Sequence, residues 1–188
     1  MRVEVVFERN RSFADSLAGD SQGGLPWPAA RPASPWLVVV ACMDPRIPVE
    51  KVLGLSPGEA FVVRTPAAAI DGVAAAGVGL ALAVDSVTSA LVVGHTDCAA
   101  VASAIRASSG EANEAQRVLA GCLPTLAPDV DPREGAEMVV AESTRRISEL
   151  ARARRGDSAS VEVRGAIYEL GTARLCPLSR GAASDGVE

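Results

Sequence analysis

Four short apolar, β-branched runs are spaced along the chain, and each reads as a strand. Trp36-Leu37-Val38-Val39-Val40-Ala41-Cys42 follows a proline and does not alternate, which predicts a strand buried on both faces. Ala60-Phe61-Val62-Val63-Arg64 and Ala90-Leu91-Val92-Val93-Gly94 repeat that composition. Val161 to Tyr168 interleaves Glu162 and Arg164 with apolar residues, and this alternation predicts a more exposed, edge-like strand. Helical patterns fill the intervals: an Ala/Gly-rich helix over roughly 71–85, one from Thr96 to Ser108, a shorter one over 112–122 and a long one from Asp131. The last has clear boundary chemistry. Asp131 is placed to cap it, Pro132 suits its first position, Glu134 completes a capping box and Gly156 closes it. Ala136, Val139, Val140, Ile147, Leu150 and Ala151 then share one face. Strands alternating with helices predict an α/β fold, a central and mainly parallel four-stranded sheet flanked by helices, with any site beyond the C-terminal ends of the strands.

The pattern also divides the chain. Residues 1–35 read as an N-terminal arm: a helical stretch from Val6 to Leu17, then the Gly- and Pro-rich segments Gly23 to Pro28 and Pro32 to Pro35. Residues 36–178 form a single α/β domain, and residues 179–188 a loose tail.

Composition narrows the function. A chain of 188 residues, 48% hydrophobic, can bury a substantial core. Its net charge of −5 argues against a nucleic-acid partner, which calls for clustered Lys and Arg. The most apolar stretch, Pro66 to Val84, is broken by Asp71 and diluted by glycines, so no membrane span is expected. The charged N-terminus lacks the continuous apolar segment of a secretory signal, which makes the cytoplasm the expected location. In a reducing compartment the four cysteines are expected as free thiols or metal ligands rather than disulfides.

Two of them end or follow strands. Cys42 closes the first run, and His95-Thr96-Asp97-Cys98 begins where the third gives way to a helix. If those strands are neighbours, two thiols and an imidazole converge at one sheet edge, a donor set suited to a tetrahedral zinc with one open position. Cys98, expected in a helix's first turn, would be favoured there as the thiolate. The plain alternative is two small core cysteines and a hydrogen-bonded loop histidine. Against it, His95 is the chain's only histidine, and Cys42 opens Cys42-Met43-Asp44-Pro45-Arg46, with a carboxylate and a guanidinium adjoining the donors.

These residues resemble the β-class carbonic anhydrases. The C-x-D-x-R motif of that family is matched by Cys42 to Arg46 and its G-H-x-x-C motif by Gly94-His95-Thr96-Asp97-Cys98, with Gly58 to Arg64 and Val163 to Leu170 resembling its second and fourth strands. The resemblance implies one zinc per chain on Cys42, His95 and Cys98, an Asp44–Arg46 dyad beside it, a strand order 2-1-3-4, and a homodimer with an arm crossing onto the partner. It implies reversible hydration of carbon dioxide to bicarbonate, with Asp44 orienting the attacking water and Arg46 fixing Asp44; in some members that carboxylate instead swings onto the metal. The sequence departs from the family where Arg-Asn-Ala-Gly is usual and Arg64-Thr65-Pro66-Ala67 stands here, and at Ala99-Ala100, where Gly is usual. The first departure keeps two alternatives open: a hydrolase of carbonyl sulfide or carbon disulfide on the same scaffold, or a zinc-binding homologue without turnover.

Other signals are set aside. Gly72 to Gly79 matches no nucleotide-loop spacing, and Arg152, Arg154 and Arg155 complement a helix dipole. Cys122 and Cys176 have no partner motif and read as ordinary thiols.

Overall fold

The computed structural model describes residues 3–19, 33–110, 112–155 and 161–179. These belong to two units, Met1–Ser34 and Pro35–Glu188. The first holds helix α1, Glu4–Gly19, two residues longer at each end than the stretch expected from Val6 to Leu17; its Val6 and Phe7 are exposed. The Gly-rich segment expected after it and nearly all of the tail lie outside the described residues, as does Gly156, the expected stop of the long helix.

In the second unit the apolar runs become strands β1 (Leu37–Cys42), β2 (Ala60–Thr65), β3 (Ser89–His95) and β4 (Glu162–Glu169), followed by a short β5 (Arg174–Pro177). The sheet order is β2-β1-β3-β4-β5, parallel except for the β4–β5 hairpin. The expected order 2-1-3-4 is thus present with one antiparallel strand added. That strand is four residues long and ends in Pro177, too short for its sequence to carry a period. Its pairing makes β4 an interior strand, which corrects the edge-like reading. The edge on the other side is β2, where Phe61 and Arg64 are exposed, so that run is not buried on both faces as β1 is. All six residues of β1 are buried, with Val38, Val39 and Val40 at the centre of the core.

The helices of this unit are α2 (Val49–Leu53), α3 (Gly72–Leu82), α4 (Ala99–Ser108), α5 (Glu114–Cys122) and α6 (Pro132–Arg155). At α6 the Oδ1 of Asp131 accepts the N–H of Arg133 (2.8 Å) and of Glu134 (3.3 Å), the capping half of the box expected there. A complete reciprocal box forms instead at α5, between Asn113 and Gln116. The buried face of α6 includes Ala136, Val139, Val140, Ile147 and Ala151 as the spacing predicts, and Leu150 is half-buried at its margin. Among the described residues no helix is long and apolar enough to cross a membrane.

Helix α6 lies against β3 and β4 at two glycines. A Cβ on Gly94 would sit 2.5 Å from Val140 Cγ2 and 3.1 Å from Ile167 Cδ1, and one on Gly165 would sit 2.7 Å from Val140 Cγ1. Val140 is fully buried and stiff at χ1, so it has little room to turn away. Gly94→Ala is therefore expected to destabilise the fold by about 1–3 kcal/mol through overpacking, seen as a lower denaturant midpoint with unchanged slope.

Candidate metal centre

Because β1 and β3 are hydrogen-bonded neighbours, Cys42 and His95 leave the sheet at the same end. Cys98 follows three residues later. The helix expected from Thr96 begins only at Ala99, because Asp97 adopts a left-handed φ of 55° that a right-handed helix excludes. Cys98 consequently caps α4 rather than lying in its first turn.

Cys42, His95 and Cys98 are all buried, and their donor atoms lie within 4.8 Å of one another. The two sulfurs are 3.9 Å apart, close to the separation of about 3.8 Å that two thiolates take on a tetrahedral zinc with Zn–S bonds of about 2.3 Å. His95 Nδ1 faces the Thr96 carbonyl oxygen at 2.8 Å, and since that oxygen can only accept, Nδ1 carries the proton. Nε2 is then an acceptor, buried without a hydrogen-bond partner. A buried lone pair with no donor is costly, and a cation between it and two thiols removes the cost. Two soft sulfurs and one imidazole are the donors zinc prefers, so the residues fit that ion.

The electrostatics agree. The hydrogen bond from Cys98 lowers the Cys42 pKa far below that of a free thiol, against the opposing effect of burial. The same contact, with burial, raises Cys98. Two adjoining sulfurs thus share a proton, and a cation taking its place lets both ionise. At His95 burial lowers the pKa, and the Cys42 sulfur facing the ring, with the Thr96 carbonyl and Asp44, more than offsets it; this anionic surrounding that favours a proton on the ring equally favours a cation at Nε2 in its place.

Asp44 is bound in a fork. Its Oδ1 accepts Arg46 N–H and Nε–H, both at 2.9 Å, and its Oδ2 accepts Arg46 Nη2–H at 2.7 Å. That Oδ2 is 3.8 Å from His95 Nε2, so the carboxylate stands beside the donor set while held by the guanidinium. Arg46 Nη2 also donates to the Asp97 carbonyl oxygen at 3.2 Å, linking the loop after β1 to the turn after β3.

Arg64-Thr65-Pro66-Ala67 forms the end of β2 and a 3-10 turn, Pro66–Ala68, with Pro66 at the first position where its missing N–H costs nothing. Ala67 and Ala68 both take left-handed φ values, 56° and 59°, in buried positions. Thr65 Oγ1 donates to the Ala69 carbonyl oxygen at 2.7 Å and so ties the turn shut. Thr65→Val keeps the shape and leaves that buried carbonyl unpaired, so a loss of about 1–3 kcal/mol in thermal or urea unfolding is expected.

Sequence reasoning passed over two contributors. Asp97 enters through its backbone, and only its place in a tight turn signals it. Arg64 lies in β2 as its run predicts, and its side chain adds what the run does not signal: Nε and Nη2 donate to the Cys42 carbonyl oxygen (3.2 and 2.9 Å) and Nη2 to that of Asp44 (2.6 Å).

A family model described as carbonic anhydrase matches residues 37–175. Over 156 residues the chain is 26% identical to the protein named beta-carbonic anhydrase 1 of Mycobacterium tuberculosis, covering 83% of this chain and 90% of that relative. The crystal structure of the β-carbonic anhydrase CafA of Aspergillus fumigatus superposes with a TM-score of 0.68 at 25% identity, over 94% of this chain and 90% of that one. The Coccomyxa β-carbonic anhydrase in complex with acetazolamide gives 0.75 at 20% identity, over 94% and 86%, which speaks for the fold. The matched stretch runs from β1 through β4 and takes in both turns that carry the donors, and on that extent the chain belongs to the β-carbonic anhydrase family.

Proposed function

We propose that this protein is a zinc-dependent carbonic anhydrase that reversibly hydrates carbon dioxide to bicarbonate. The observation that carries the proposal is the buried Cys42–His95–Cys98 donor set, with its unpartnered Nε2, directly beside a carboxylate held by Arg46. Zinc on these three donors supplies a Lewis acid that acidifies water at neutral to alkaline pH, less strongly than at an all-histidine site because two thiolates already offset its charge.

The chain's own residues do the rest. Asp44 uses the free lone pair of Oδ2 to accept a hydrogen bond from the attacking water, aiming that oxygen at the substrate carbon. Arg46 occupies both carboxylate oxygens in a fork, which fixes their direction and keeps the group ionised. His95 is the only histidine; its Nδ1 is held by the Thr96 carbonyl and its Nε2 is one of the three donors. The product proton therefore leaves through buffer or another side chain, and turnover is expected to rise with buffer concentration.

The test is stopped-flow CO2 hydration on purified protein with metal analysis. One zinc per chain with buffer-dependent hydration supports the proposal. Stoichiometric zinc with no hydration, but hydrolysis of carbonyl sulfide or carbon disulfide, transfers the site to those substrates; no turnover of any of them leaves a binding role. A homodimer is part of the same proposal. Helix α3 carries no charged residue over Gly72–Leu82 and exposes Val73 and Leu80, an apolar face that a second copy would cover. Action in the cytoplasm is the matching expectation for a chain with reduced, metal-binding thiols.

A further inference from the structure

Only one side of the sheet holds the strand end that carries Cys42. The β1–β3 pairing stops at Ala41 opposite Val93, whereas the β1–β2 pairing continues to Cys42 opposite Thr65, followed by a bond from Met43 N–H to the Thr65 carbonyl oxygen at 2.9 Å. The other two donors, His95 and Cys98, come from β3 and the turn after it. Arg46 ties the Asp44 side chain to the turn after β3, but the main chain from Cys42 to Asp44 is placed by how firmly it is held to β2, and the distance between the two halves of the donor set depends on that hold. Beyond that one backbone bond, Arg64 holds it, spanning the carbonyls of Cys42 and Asp44 with three hydrogen bonds from one guanidinium.

We propose that Arg64 is a positioning residue for the metal centre: its guanidinium fixes the backbone of Cys42 and Asp44 together, setting the Cys42 sulfur against the β3 donors and the Asp44 carboxylate beside them. It does so through main-chain oxygens, while the carboxylate itself is held by Arg46. Arg64 is also exposed, so its worth lies in geometry rather than core packing. A fork that reaches two carbonyls is particular to arginine, since an ammonium is a point donor. The inference rests on the zinc site proposed above, and its test separates the two.

Arg155 provides a matched control. It too donates to two backbone carbonyls, those of Leu82 and Val84, but these lie at and just past the C-terminal end of α3 rather than at a strand end bearing a donor. Wild type, Arg64→Met, Arg64→Lys and Arg155→Met are compared by zinc affinity in a chelator competition, by the thiolate-to-metal absorption of the cobalt-substituted protein, and by kcat and KM for CO2. Arg64→Met is expected to bind zinc about 10- to 100-fold more weakly, to alter the cobalt spectrum, and to lower kcat by a similar factor with little change in KM. Arg64→Lys is expected to fall between it and wild type. Arg155→Met is expected to melt at a lower temperature with wild-type zinc affinity and spectrum. Wild-type zinc affinity and spectrum in Arg64→Met would overturn the inference, as would an equal loss in Arg155→Met, which would make the effect one of general stability. If Arg64→Met does not fold, Arg64→Lys decides: an intermediate affinity supports the role and a wild-type one removes it. Absence of CO2 hydration in the wild type would count against the proposed function alone, because zinc affinity and the cobalt spectrum read the positioning role without turnover.

Discussion

Asp44→Asn is expected to keep its zinc and to lose about 10²- to 10³-fold in kcat for CO2 hydration. The substitution keeps shape and volume but replaces one acceptor oxygen by an NH2 group. Arg46 now donates with both its main-chain N–H and its guanidinium to this side chain, and an amide can satisfy only part of that fork. Whichever way the amide turns, either Arg46 or the attacking water meets a donor where it needs an acceptor. Keeping the amide oxygen at the Oδ1 position preserves two of the three Arg46 bonds and puts the NH2 toward the water, so the hydrogen bond that directs the water's lone pair is lost while Cys42, His95 and Cys98 are untouched. Arg46 holds the Asp44 carboxyl well below the usual carboxylate range, chiefly through their side-chain hydrogen bonds. The folded pKa therefore lies under the unfolded value of about 3.9. Whatever the pair adds to stability is present above that value and disappears as pH falls through the folded pKa. Asp44 stays ionised across any neutral or alkaline assay, so the acid limb of the wild-type rate profile follows the ionisation of the attacking water and lies toward mildly alkaline pH. The measurement is the alkaline plateau of the rate together with zinc stoichiometry. A variant with wild-type turnover would remove Asp44 from the mechanism, and one stripped of zinc would recast it as a ligand.

Cys98→Ala is expected to abolish stoichiometric zinc. Two donors remain, and one thiolate and one imidazole supply only half of a tetrahedral shell. The side chain removed is small and lies at a helix N-cap, so the core accepts alanine, and the change in stability comes mainly from the missing ion. Zinc at a hundred times its dissociation constant stabilises a fold by about 2.7 kcal/mol, and this increment is expected to separate wild type from variant when zinc is present and to vanish when a chelator is added to both. Metal analysis and thermal unfolding with and without chelator check it. One zinc per chain in Cys98→Ala would show that the ion sits elsewhere.

The core of the fold was legible where side-chain chemistry repeats. Val38, Val39 and Val40 mark a strand enclosed on both faces, and Asp131 and Pro132 mark where α6 begins. Both turns that bear the donors were legible as well, because a thiol at a strand end and an imidazole three residues before a second thiol are rare patterns with few other uses. Illegible features depend on what the chain meets after it folds. The residues Arg174 to Pro177 form a strand only because β4 offers an open edge to pair with. The start of α4 moved past Thr96 because Asp97 turns left-handed, where its carbonyl receives Arg46. Arg64 sits in a run of strand-forming residues, and nothing in the letters says that its guanidinium turns back onto the main chain of β1. In the segment after it, the departure from Arg-Asn-Ala-Gly is plain in the letters but the path is not, being built from a proline and two left-handed alanines closed by Thr65.

The contact between α6 and the two glycines reaches beyond packing. Gly94 immediately precedes His95, and its backbone is pressed against Val140 near the middle of the longest helix in the described domain. The imidazole is thus mounted on a strand with no slack on its helix side. Small changes along α6 would be transmitted through Val140 as tilt of the imidazole, so that variation in a helix that carries none of the three donors can tune how tightly the cation is gripped.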